Sequence, residues 1–136
     1  MIYTGYFQHP EKIYKRFPKE TKNFLFGNCM LFAKALQQIF GYRTVQISND
    51  EEEGTNIIHV FCVANDKHNN FIYIDVRGIT DNEDIFFAPF NEDLDEDSYI
   101  DDFNTALIDM NAPEHQITLQ KAIQFIRSHP NYYKKY

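Results

Sequence analysis

From Cys29 to Phe40 the apolar residues Cys29, Phe32, Ala33, Leu36, Ile39 and Phe40 recur at helical spacing, while Lys34, Gln37 and Gln38 fall on the opposite side. Asn28 is a favoured N-cap residue and Gly41 a favoured residue just past the last turn, so the pattern predicts a helix over Cys29–Phe40. Three runs rich in β-branched and aromatic residues follow, at 43–48, 56–64 and 71–77, and predict strands. The polar stretch Asn65-Asp66-Lys67-His68-Asn69-Asn70 between the second and third is turn-prone, which makes those two runs an antiparallel hairpin. A last apolar stripe, Ile117, Ala122, Ile123, Phe125 and Ile126, predicts a helix over 117–128 that begins after Pro113 and Glu114 and ends before Pro130. Residues 1–27 support at most one short helix, near 11–17, within an irregular wrap, and 81–102 reads as a solvated acidic loop or short acidic helix. The pattern as a whole predicts an α+β domain in which the helix beginning at Cys29 packs on an antiparallel sheet.

Length and composition narrow the class. The 136 residues fit one domain spanning 1–136, and with 43% apolar and 16% aromatic residues they can build a packed core. The net charge of −7 argues against a nucleic-acid binder, which would gather Lys and Arg on one face. No apolar run approaches the roughly 20 residues needed to cross a bilayer, and residues 1–10 lack the basic start and apolar stretch of a secretory leader. Two cysteines do not make a disulfide framework, and Cys62 lies in an apolar run where a buried thiol is ordinary. The expected setting is a reducing compartment, the cytoplasm of the producing cell or of a cell into which the chain is delivered.

Three residues stand out chemically. Cys29 opens the predicted helix behind Gly27 and Asn28, where unpaired amides and the positive end of the helix dipole stabilise a thiolate. His59 interrupts the aliphatic run Ile57-Ile58-His59-Val60, and Asp75 interrupts Ile72-Tyr73-Ile74-Asp75-Val76, where an ionised carboxylate needs a partner. A hairpin with Asp66 to His68 at its turn places His59 directly opposite Asp75 on one face. The expected arrangement is Cys29 as nucleophile, His59 as its base and Asp75 fixing the His59 tautomer. The helix N-terminus, including Asn28, would receive an oxyanion.

The run Gly27-Asn28-Cys29, Phe32-Ala33, Ala35-Leu36 and Gly41 resembles the nucleophile helix of the transglutaminase-like and papain-like cysteine enzymes. His59-Val60 resembles that superfamily's strand-borne His and Tyr73-Ile74-Asp75 its following strand with the triad Asp, in the same order along the chain. The resemblance covers residues 24–79, has a short connection between Cys29 and His59, and shows no calcium-site pattern. It implies a compact bacterial or phage enzyme without a cofactor, acting on a protein or peptide as protease, Gln deamidase or cross-linker, plausible as an effector or toxin with a cognate inhibitor or immunity protein. It also implies an amide side chain upstream of the nucleophile as oxyanion donor, for which the sequence offers Asn23 and, more remotely, Gln8.

Two rival readings use other features. A zinc site could draw on His59, Cys62, His68 and Asp75, but residues 59 and 62 point to opposite faces of a strand and do not converge on one ion. His9, His115 and His129 sit beside Pro or Glu in expected loops and caps and read as solvent-exposed. A non-catalytic acidic binding protein, an immunity factor or nucleic-acid mimic, would use residues 50–53 and 92–102.

Overall fold

A computed structural model describes residues 11–135 of the chain. Its centre is a five-stranded antiparallel sheet in the order β4-β3-β2-β1-β5, formed by β1 (Arg43–Glu51), β2 (Gly54–Asn65), β3 (Phe71–Asp75), β4 (Gly78–Thr80) and β5 (Tyr99–Asp102). The strand period of two splits the sheet's side chains between two cores. Val60, Cys62, Ile72 and Ile74 face helices α3 (Cys29–Phe40) and α5 (Pro113–Ser128), whereas Val45, Ile47, Phe61, Val63 and Tyr73 face Phe86 and Phe87 of the short helix α4 (Glu83–Phe87). No helix among the described residues is long and apolar enough to cross a membrane.

Helix α3 has the predicted bounds, and Gly41 ends it in the left-handed conformation (φ 76°) that a Cβ would disfavour. Its N-terminus differs from expectation. Asn28 occupies the N-cap position but makes no side-chain cap; its Nδ2 donates to Asn23 Oδ1 at 2.6 Å. The segment before it is helical and not an irregular wrap: α1 (Glu11–Arg16) and α2 (Pro18–Lys22) lead into a π-helical turn, Asn23–Gly27, closed by Asn28 N–H donating to Asn23 O at 2.8 Å. Residues 81–102 hold α4, a 3-10 turn (Ala88–Phe90) and β5, so the acidic run conceals an edge strand and an apolar lid. Helix α5 begins four residues earlier than expected, at Pro113, and a further helix α6 (Pro130–Tyr133) begins at Pro130.

The β2–β3 hairpin forms, but its register differs from the one predicted. Cys62 pairs with Ile74 and Asn65 with Phe71, which centres the turn on His68 and moves Asp75 two residues out of direct opposition to His59. The cause is the buried Asp66, whose Oδ1 accepts from the His68 and Asn70 amides, both at 2.9 Å, while Asn69 takes a left-handed φ of 62°. A slip of two preserves the face of every side chain, so Asp75 becomes a diagonal neighbour of His59 and stays within side-chain reach. Asp66→Ala should cost about 1–3 kcal/mol, because two turn amides lose their acceptor. Chemical denaturation measures that loss, and unchanged stability would show that the turn is held by other contacts.

Candidate active site

Beyond the Cys62–Ile74 pair, β3 no longer pairs with β2, and the amide of Val60 donates to Cys29 Sγ at 3.4 Å. The first residue of α3 thus lies against the strand that carries His59. Cys29 is half-buried, at the positive end of a twelve-residue helix, with one backbone donor already on its sulfur. A bulge precedes His59: β1 pairs Ile47 with His59 but Ser48 with Ile57, so Ile58 is an extra residue immediately before it.

His59 is fully buried, and its Nε2 lies 3.0 Å from Asp75 Oδ2. A carboxylate only accepts, so Nε2 carries the hydrogen and the neutral ring presents a bare Nδ1. Among the described residues Nδ1 makes no geometric hydrogen bond, to Cys29 or to any other group, although the neighbouring thiol favours the protonated ring. Such contacts commonly tighten only when substrate binds. The ring stacks on Phe90, centroids 4.4 Å apart, and on Phe61 at 5.6 Å, with Phe86 tilted against it at 6.0 Å. These rings fix its plane and keep water away.

Asp75 is held from the other side by Arg77, a residue absent from the candidates the sequence suggests. The two-residue turn Val76-Arg77, closed by Gly78 at φ 107°, brings the Arg77 amide to Asp75 Oδ1 at 2.9 Å and its Nη2 to Oδ2 at 2.6 Å. A signal was available, because in the strand predicted over 71–77 residues 75 and 77 would share a face, and a buried carboxylate calls for a cation.

The electrostatics follow from these neighbours. Burial works against a charged Cys29, but hydrogen bonding and charge from His59, with the Val60 amide, outweigh it and hold the thiol below its ordinary pKa. Burial likewise opposes protonation of His59, and Asp75 and Cys29 overcome it, raising the imidazole above its usual value. For Asp75 burial favours the neutral acid, whereas the Arg77 charge and the His59 bond bring the carboxyl well below the usual carboxylate range. A lowered thiol beside a raised imidazole is the condition for a thiolate–imidazolium pair. Cys62 is the contrast: wholly buried on the sheet face opposite His59, it donates to Ala33 O at 3.5 Å, and burial pushes its thiol far up.

The other sequence candidates are placed as follows. Asn23 is exposed and bound to Asn28, the residue before Cys29; its Oδ1 is occupied, and its Nδ2 meets no acceptor among the described residues. Gln8 and His9 lie outside the described residues. His129 is not a free surface side chain, since its ring packs on Phe17, Phe125 and Tyr132. His115 is half-buried, with Nδ1 2.7 Å from Asp109 O. No protein-family model, curated protein or solved structure matches the chain.

Proposed function

We propose that the chain is a cysteine-nucleophile acyl-transfer enzyme of transglutaminase-like or papain-like type, acting on amide bonds of a protein or peptide through Cys29, His59 and Asp75. The observation that carries this reading is the buried relay in which Asp75 Oδ2 holds His59 Nε2 at 3.0 Å beside a helix-opening thiol that already accepts the Val60 amide. A purely structural core has no need of a thiol, an imidazole and a carboxylate meeting where two strands part.

In the proposed reaction His59 Nδ1 holds the proton released by Cys29, and the thiolate attacks the amide carbon, forming the C–S bond. The resulting oxyanion is received by the amides at the start of α3, with Asn23 Nδ2 or Asn28 Nδ2 as the side-chain donor. As the C–N bond breaks, the imidazolium proton passes to the leaving nitrogen. Water then adds to the thioester, giving one proton to His59, and the carboxylic acid leaves as the thiol is restored. On a Gln side chain the released amine is ammonia and the product is Glu; on a main-chain amide the chain is cut; a Lys amine in place of water gives a cross-link. Hydrolysis of a protein substrate, as an effector or toxin activity, is the form proposed.

The test needs no knowledge of the substrate. Iodoacetamide at pH 6 should label Cys29 at least tenfold faster than Cys62, as read by peptide mass spectrometry, because thiolate is the reacting species. Equally slow labelling of both thiols would favour the acidic binding protein instead. Ammonia release, peptide cleavage and Lys ligation on Gln- and Lys-containing peptides then separate the three outcomes of the thioester.

A further inference from the structure

Arg77 is wholly buried, yet a guanidinium is among the costliest groups to bury, and a well-packed apolar side chain often serves a core as well or better. Its contacts meet around the candidate triad. The backbone N–H and Nε donate to Asp75 Oδ1 at 2.9 and 3.1 Å, and Nε and Nη2 donate to Oδ2 at 3.2 and 2.6 Å. Oδ2 is the same oxygen that accepts from His59. Nη2 also donates to Phe86 O at 2.8 Å, and the guanidinium carbon lies 4.7 Å from the Phe86 ring centre and 6.0 Å from that of Phe90. One side chain therefore touches both the carboxylate that orients His59 and the segment whose rings cover it.

We infer that Arg77 is a positioning residue for the proposed triad, acting through Asp75 to extend into mildly acidic pH the range over which Cys29 is a thiolate. This rests on the acyl-transfer reading of the site. The bidentate fork prevents the carboxylate from turning away from Nε2, and its charge keeps a buried acid ionised that would otherwise take up a proton. A neutral or displaced Asp75 cannot stabilise the imidazolium, and the thiol then keeps its proton. Among the described residues, the groups that face Asp75 are few. They are His59 from β2, Arg77 itself, and the Cys29 thiol at the start of α3. Cys62 on β2 and Tyr133 on α6 feel its charge and are held protonated by burial. From α4 come the Phe86 carbonyl and ring, while Glu83 and Asp84 are exposed.

The test is the rate of Cys29 alkylation by iodoacetamide from pH 4 to 9 in the full chain and in Arg77→Gln and Arg77→Lys. Arg77→Gln should slow labelling at pH 5 by about 10- to 100-fold, moving the acid limb upward by one to two pH units, with the alkaline plateau unchanged. Arg77→Lys keeps the charge without the fork and should recover more than half of that shift. A Gln variant that melts earlier but alkylates with the wild-type profile would make Arg77 structural only and overturn the inference. Should Arg77→Gln fail to fold, carbon-13 titration of the wild-type Asp75 carboxyl decides: it should stay ionised down to pH 3, and a protonation midpoint above pH 3 overturns the inference. A wild-type Cys29 that alkylates like a free thiol would instead remove the acyl-transfer reading, and this inference with it.

Discussion

Cys29→Ala should abolish turnover and leave the fold standing. On the proposed mechanism the expected loss is on the order of 10⁶ in turnover, the scale found when a serine protease loses its nucleophile, because the thioester would form on the Cys29 sulfur. The structural cost is small by comparison. Cys29 is half-buried at the first turn of α3, and its truncation removes one sulfur and the acceptor of the Val60 amide. A destabilisation of about 1–2 kcal/mol follows from that loss. Thermal melting and turnover measured on one preparation separate the two effects. Cys62→Ala should show the reverse, lowering stability while preserving activity per folded molecule, since Cys62 packs in the α3 core away from His59. Full activity in Cys29→Ala, or its loss in Cys62→Ala, would put the nucleophile elsewhere.

How far the sequence reveals this site depends on which physical signals are local. The apolar stripe, Asn28 and Gly41 locate α3 at its observed bounds, and with it Cys29 at a helix N-terminus. His59 and Asp75 are visible as polar residues inside apolar strand runs, and the hairpin between them is visible in its turn. The register is not, because it is decided by the Asp66 side chain capping two specific amides, and either of two turn centres suits the same polar stretch. The fold tolerates that error only because a slip of two leaves the faces unchanged. The π-helical turn before Cys29 was hidden for a different reason: Asn28 bonds to Asn23 where local preference would have it cap α3. Phe86 and Phe90, which cover His59, come from a stretch whose acidic composition reads as solvated loop. Nothing near them in the sequence announces a contact some thirty residues away.

Asp75→Asn carries the second large effect, and it acts on stability as well as on rate. The amide keeps the side chain's volume but removes the charge that His59 and the buried Arg77 both face. An uncompensated buried guanidinium costs about 3–5 kcal/mol, so the variant should unfold at markedly lower denaturant. The pH dependence has a definite sign. The Asp75 carboxyl is held below its unfolded value, so its contribution is present above roughly pH 4 and is lost as pH falls through the folded value. The stability gap between wild type and variant should therefore be full at pH 5–6, close in strong acid, and narrow in part as pH rises through the folded value of His59. His59 titrates the other way. Its raised pKa contributes stability that is complete below about pH 6.5 and lost as pH rises through the folded value. Removing the Asp75 charge shrinks that contribution, so the variant's stability should vary less with pH above neutrality. In the folded variant turnover should fall by roughly 10- to 1,000-fold, less than the 10⁴ of a serine triad, because a thiolate–imidazolium pair can form before substrate arrives. Cys29 alkylation should need a higher pH for the same reason. A folded Asp75→Asn protein with wild-type turnover and an unchanged alkylation profile would take Asp75 out of the site and reduce it to a Cys29–His59 dyad.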